Sequence, residues 1–299
     1  MLIGHLVVFA SVCLWASNHV ATRALNDALS LSALSFWRWA IALALMAPLA
    51  WPYLRRDAAL LRAAWPRVAA AGANGMGLFA FAISAAPYHT AALNVGLIAA
   101  TTTLWILLFN AVLRIERIAA RQALGIVLAF AGAAHIVLAG RWEALAEAKL
   151  VWGDLYALAA AALWAAYALQ LRRLPEGIHP LAFNLAGGAC GLAVLALVYL
   201  AGIAAGDSWL LKPAGAADPA RALGGMAYVA IGPTLLGNLL WIVGVQRIGA
   251  ARAGALMYLM PVVSSALAVA LLGETLAWFH AVGAAGIAAG LVLAVMAKR

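Results

Sequence analysis

Apolar runs of about 20 residues, separated by short stretches that carry charge, Pro or Gly, dominate this chain. Read between those interruptions they predict ten segments: 3–22, 31–51, 67–86, 91–113, 121–140, 152–171, 178–203, 223–245, 251–272 and 277–297. That length matches the roughly 20 residues an α-helix needs to cross a hydrocarbon core. It is about twice what a barrel strand needs, and period-two alternation is missing. The expected fold class is an all-α integral membrane protein with ten transmembrane helices. The connections are too short to hold a separate soluble domain. The first run lacks the basic start of a secretory signal and has a counterpart later in the chain, so it is read as a retained helix.

Composition sharpens this picture. Of 299 residues, 67% are hydrophobic and 10% charged, against about 25% charged in a soluble domain. A water-soluble globule is excluded. The net charge of +9 comes from short basic groups between apolar runs, which suits a lipid bilayer as partner and not nucleic acid. Those basic groups are unevenly shared. Segments on one side hold Arg55, Arg56, Arg62, Arg67, Arg114, Arg117, Arg121, Arg172, Arg173, Arg247, Arg252, Lys298 and Arg299; the other side holds Arg23, Arg141, Lys149, Lys212 and Arg221. Cytoplasmic loops carry the excess of Lys and Arg, so both termini are expected in the cytoplasm of a bacterial-type inner (plasma) membrane. Cys13 and Cys190 lie in apolar runs without metal-ligand spacing, as small core hydrophobes do. No cofactor and no metal is implied.

An internal repeat carries more information. At an offset of 149, Gly4 meets Gly153, Trp15 meets Trp164, Arg23 meets Arg172 and Leu25 meets Leu174. Later the offset is 158: Glu116 meets Glu274, Gly125 meets Gly283, Gly132 meets Gly290, and Thr103 stands where Pro261 does. The chain reads as two five-helix units, 1–140 and 152–297. Five is odd, so the second unit enters the membrane from the opposite side. Inverted repeats are a transporter architecture, since one site at their interface can be opened to either side by near-equivalent rearrangements.

The stretch from Ala255 to Gly290, with Pro261, the turn Gly273-Glu274, Gly283 and Gly290, resembles the ten-helix EamA-type branch of the drug/metabolite transporter superfamily, and the first half resembles it through Glu116, Gly125 and Gly132. The first half departs from the pattern at Thr103, where the family's proline is expected. The tryptophan- and tyrosine-rich segments are similar to those of the branch members that export aromatic amino acids. The resemblance implies inner-membrane export of amino acids or related small metabolites through a central cavity lined mainly by helices one, three, four, six, eight and nine.

Several residues are candidates for substrate contact. Trp15 and Trp164 are repeat partners, each followed three residues later by a polar side chain on nearly the same face, Asn18 and Tyr167. An indole beside a polar group can stack on an apolar side chain and still donate a hydrogen bond; the same placement also suits symmetric helix packing. Asn238 and Trp241 repeat the arrangement in segment eight. Tyr258 precedes Pro261, whose ring removes a backbone donor and frees a carbonyl. Thr101 and Trp105, with Thr102 and Thr103, form a polar patch in segment four, although threonine in a membrane helix commonly bonds back to its own backbone.

Other polar residues have structural readings as well. Arg38, between Trp37 and Trp39, is placed well inside a segment and is expected to face protein or water, pair with an acid, snorkel to the nearby outer surface or bind a substrate carboxylate; Asp27 and Asp154 are candidate partners. His19, His89 and His135 lie nearer segment ends and read as wet or satisfied. Glu116 and Glu274 are expected to cap the helices that follow them. Gly125, Ala129, Gly286 and Gly290 form small-residue faces that suit close helix packing. No segment carries a mid-membrane Asp or Glu, which disfavours a proton-coupled exporter of lipophilic cations. No H-E-x-x-H, G-x-S-x-G or P-loop pattern occurs.

The expectation is thus a transporter and no enzyme: an alternating-access exporter of aromatic or other apolar amino acids, running down the substrate gradient, as a monomer or homodimer. The alternatives are a broad-specificity drug and metabolite exporter, an intramembrane lipid-modifying enzyme, or a non-transporting scaffold.

Overall fold

The computed structural model describes residues 2–99, 101–113, 120–145, 151–212, 218–248 and 256–296. Glu116, and the side chains of Thr103, Tyr258 and Pro261, lie outside what it describes. The described chain is helical, with one isolated antiparallel bridge between Leu29 and Leu211. The principal helices are α1 (Leu2–Ala24), α2 (Leu31–Arg56), α3 (Trp65–His89), a broken pair α4a (Ala92–Ala99) and α4b (Thr102–Val112), α5 (Ala120–Val137), α6 (Trp152–Leu171), α7 (Pro180–Ala204), α8 (Pro219–Ile248), α9 (Met260–Leu272) and α10 (Trp278–Met296). They follow the ten apolar segments in order. By length and composition, however, six of the described helices can cross a bilayer, or seven if the pair bent by 45° at α4a/α4b is one span. The expectation of ten full-length spans is therefore met only in part: α4 is broken, α5 and α9 are shorter apolar helices, and α10 is not among the six.

Two of the helices contain a π-helical turn, and the two turns occupy matching places in the repeat. Ala73–Leu78 interrupts α3 and Ala230–Leu236 interrupts α8. In α8 the cause is readable. Pro233 cannot donate to the carbonyl one turn back, and Thr234 Oγ1 donates to Val229 O instead, at 2.8 Å. Such widened turns frequently mark functional places in helices.

Packing follows a pattern. The most extensive contacts are α1 with α8 and α9, α2 with α7 and α8, α3 with α6 and α7, α4a with α6 and α9, α4b with α6, and α5 with α10. Advancing each number by five maps these pairs onto one another: α3–α6 becomes α8–α1, α4–α6 becomes α9–α1, α3–α7 becomes α8–α2, and α2–α7, α4–α9 and α5–α10 return themselves. The tightest seams are made by glycine. At α5–α10 the Gly125 carbonyl and Ala129 leave no room for a Cβ on Gly290, and Gly283 and Gly286 lie against Gly132, so the small faces expected there do close the interface. At α3–α7, Gly72 lies directly on the Gly187 backbone.

The α2–α7 pair is clasped at both ends by matching aspartates. Ser30 caps α2, accepting from Ala33 N, and His179 caps α7, accepting from Leu181 N through Nδ1. Just past the end of α2, Asp57 pairs with Arg56 at 2.7 Å and accepts from His179 N at 2.7 Å. Just past the end of α7, Asp207 accepts from Ser32 Oγ at 2.5 Å. The Arg56 guanidinium, and after it the His179 amide, hold the Asp57 carboxyl below the usual carboxylate range. A depressed folded pKa adds stability above the unfolded value of about 4, and that stability fades as pH falls through the folded value. Thermal unfolding in detergent should therefore show wild type losing stability more steeply than Asp57→Asn below about pH 4. Parallel pH profiles would remove Asp57 from this role.

Glu274 caps a helix, but not the one expected. Its carboxylate accepts from Ala92 N and Leu93 N, each at 2.9 Å, and so closes the start of α4a in the other half. The start of α10 is served by His280, whose Nδ1 accepts from Ala277 N at 3.0 Å.

Candidate functional site

Between the two sets of helices lies a cavity of about 1170 Å³. Its walls come from α1, α2, α3, α4a, α4b, α6, α8, α9 and α10. Of the candidates singled out in the sequence, Trp15, Asn18, Trp164, Tyr167 and Asn238 line it. Trp15 and Trp164 meet edge-to-face with ring centroids 6.2 Å apart. The partners expected from the repeat thus touch each other across the interface of the halves.

Each tryptophan is held by the widened turn of the opposite half or by its immediate continuation. Trp15 Nε1 donates to Pro233 O at 3.1 Å, and its ring lies against Gly237. Trp164 packs on Phe79, whose position matches that of Gly237 at the offset of 158. Tyr167, 5.3 Å from the Trp164 ring, covers Gly75 inside the α3 turn. A Cβ at Gly75 would occupy the space of that ring, so glycine there is a requirement of the close approach. Asn74 fixes the same turn, its Nδ2 donating to Leu163 O and Gln170 Oε1. The proline-loosened backbone expected at Pro261 is found at Pro233 instead, while Pro261 stands in the first turn of α9, where a missing N–H costs nothing.

Other candidates sit elsewhere. Trp241 does not reach the cavity; it backs Trp15 at 5.3 Å and packs with Val8 and Val12. Thr101 is fully buried and bonds back to Ile98 O, and Trp105 packs on Phe109 and Phe130. Within that patch it is Thr102 that lines the cavity, although its hydroxyl also bonds back, to Ala99 O. Asn238 spends its Nδ2 on Thr234 O. Among lining residues the sequence had not proposed are Trp39, Met76, Phe79 and Pro233. The Gly232-Pro233-Thr234 triplet in mid-segment was a legible signal for the last of these.

The polar part of the cavity wall differs from expectation. Arg38 is 6% exposed and donates through Nη1 to Asn18 Oδ1 at 3.1 Å. Its expected carboxylate partners are not there. Asp27 is exposed, and Asp154 accepts from Thr90 Oγ1 at 2.7 Å and from Asn94 Nδ2 at 3.2 Å. His19, read as wet or satisfied, is 1% exposed with no partner for Nδ1 and lines the cavity. His89 is exposed and stacks on Tyr156, and His135 accepts from Trp142 Nε1.

The model of the EamA-like transporter family matches residues 2–138 and again residues 151–296. The chain belongs to the EamA-like transporter family. It is a multi-pass membrane protein of the drug/metabolite transporter superfamily, as the motifs around Gly273-Glu274 implied. This EamA-like chain is 28% identical over 287 residues to a probable terminal-alkyne amino-acid exporter of Streptantibioticus cattleyicolor, covering 95% of this chain and 90% of that one. It is 26% identical over 210 residues to the uncharacterized transporter YyaM of Bacillus subtilis, covering 69% of this chain and 65% of the relative. A crystal structure superposes with a TM-score of 0.62 at 25% identity, covering 99% of both chains. Both relatives are named as transporters or exporters.

Proposed function

We propose that this chain exports aromatic and other apolar amino acids by alternating access through the central cavity, using ten spans in two inverted halves, residues 1–140 and 152–297. The observation that carries the reading is the meeting of Trp15 and Trp164 in the cavity, each seated against the widened turn of the opposite half or its continuation. Stacking and apolar burial would hold the substrate side chain. A hinge-like pair of π turns at matched places would let either half reorganise around it. The packing pattern that returns itself on advancing by five supports the duplication, and an odd number of helices per half supports inversion. Excess Lys and Arg on one side supports cytoplasmic termini in an inner membrane. The amino-acid exporter named among the relatives supports the substrate class.

Purified protein in liposomes should exchange radiolabelled phenylalanine for unlabelled phenylalanine without an imposed pH gradient. Uphill flux that requires a pH gradient would remove the gradient-driven form of the proposal, and no exchange of any apolar amino acid would remove the substrate class. A second reading, broad export of drugs and metabolites, is favoured by one feature: the cavity wall is mostly apolar, with Met257 and Met260 among its lining. Such walls adapt to varied shapes. Exchange of lipophilic cations at rates equal to phenylalanine would select it.

A further inference from the structure

Arg38 is a buried cation in the cavity wall. It lies in the second turn of α2, where a cation held inside a membrane protein ordinarily meets an acid or water. Among the described residues one donor of its fork is answered, by the neutral amide of Asn18, and its Nε has no partner. Among the described residues no acid pairs with Arg38: Asp207, at the same end of α2, accepts from Ser32, Asp154 from Thr90 and Asn94, and Glu274 from the amides of Ala92 and Leu93, while Asp57 pairs with Arg56 at the far end of the helix. No described lining residue is Asp or Glu. His19 adds a second unanswered nitrogen on the same cavity wall.

The charge is not demanded by the fold. At the repeat offset of 149, position 38 corresponds to Gly187, which serves a helix crossing against Gly72. Among the described lining residues Arg38 is the one Lys or Arg. A guanidinium stays protonated and offers a planar fork that fits a carboxylate through two parallel hydrogen bonds. An incoming ammonium, by contrast, finds no acid on the wall and a fixed positive charge beside it.

Building on the export reading, we propose that Arg38, with Asn18 and His19 beside it, is a carboxylate-binding subsite, and that the transporter takes apolar carboxylates with a masked or absent amino group at least as well as zwitterionic amino acids. The guanidinium binds the substrate carboxylate, and the apolar remainder extends toward Trp15 and Trp164. Export of N-acylated amino acids and arylalkanoic acids follows from that charge balance.

The test is competition against phenylalanine exchange in proteoliposomes, with 3-phenylpropionate, N-acetylphenylalanine and 2-phenylethylamine as competitors. The two acids should compete at least as well as phenylalanine, and the amine roughly tenfold less well or worse. Arg38→Gln should weaken 3-phenylpropionate by roughly tenfold to a hundredfold, as losing hydrogen bonds to a charged group does, and Arg38→Lys should recover part of it. Equal competition by acid and amine in wild type would overturn the subsite, as would unchanged acid affinity in Arg38→Gln. Should Arg38→Gln fail to fold, the wild-type competitor series alone decides. If phenylalanine exchange is absent, the export reading falls by itself. Direct binding of labelled 3-phenylpropionate to detergent-solubilised wild type then judges the subsite: saturable binding that 2-phenylethylamine does not displace supports it, and no binding ends it.

Discussion

Gly72→Leu is expected to yield little folded protein, and Gly72→Ala to cost about 1–3 kcal/mol or more, the range for overfilling a packed interior. A Cβ at position 72 would enter the Gly187 backbone. Backbone cannot rotate away as a long side chain can, so α3 and α7 would have to separate. That separation would loosen the Gly191 contact with Met76 in the same seam, and with it the π turn that seats Tyr167. The comparison that isolates the cause is Gly224→Ala. Gly224 is exposed in α8 with nothing within 4 Å of a built Cβ, so alanine there should leave stability unchanged or raise it by about 0.5–1 kcal/mol. Thermal unfolding in detergent separates the two. Equal melting temperatures for Gly72→Ala and Gly224→Ala would show that the seam is not close-packed.

Trp15→Ala should reduce phenylalanine exchange at least roughly tenfold per folded molecule, a loss of about 1.4 kcal/mol or more of productive interaction. The indole touches Trp164 at 6.2 Å and Trp241 at 5.3 Å and donates to Pro233 O. Removing it opens the cavity wall and leaves the Pro233 carbonyl without that donor. Trp15 is only half-buried, so the stability cost should fall below the 3–5 kcal/mol of a fully buried Trp→Ala change. Trp15→Phe keeps the ring and drops the N–H, and should retain more exchange than Trp15→Ala. Trp164→Ala should behave like Trp15→Ala, because the two residues face each other at equivalent places. Normal flux in both alanine variants, normalised to the monodisperse fraction, would take the tryptophan pair out of the transport path.

Much of this arrangement was legible from side-chain chemistry. The repeat pairing of Trp15 with Trp164 follows from spacing and places both in one cavity, where they are found. The small-residue faces at Gly125, Gly286 and Gly290 follow from helical periodicity, and they do close α5 against α10. Arg38 stood out as a cation that needed an answer. Its answer did not follow, since proximity between Arg38 and Asn18 depends on how α1 and α2 cross. Glu274 illustrates the same gap. An acid after a helix is expected to serve the next helix in the chain, yet the free amides closest in space belong to α4a.

Trp105 and Thr101 show the gap from the other side. Their polarity suggested the cavity, but a threonine hydroxyl can bond within its own turn and an indole can pack on Phe109 and Phe130, so chemical type did not fix facing. Pro233 had the chemistry that Pro261 was expected to supply. The two prolines differ only in helix position: in the first turn the missing donor has no consequence, and in mid-helix it frees a carbonyl.

What the chain determined by itself is the set of apolar segments, their duplication and the family, because these rest on local hydropathy and on residues compared at fixed spacing. What the tertiary structure decided is which polar groups answer one another: Asn18 for Arg38, Thr90 and Asn94 for Asp154, the α4a amides for Glu274, and the Pro233 carbonyl for Trp15. Those pairings are set by helix crossing and by the two π turns, and a shift of one residue in a helix turns a side chain by about 100°, from cavity to seam.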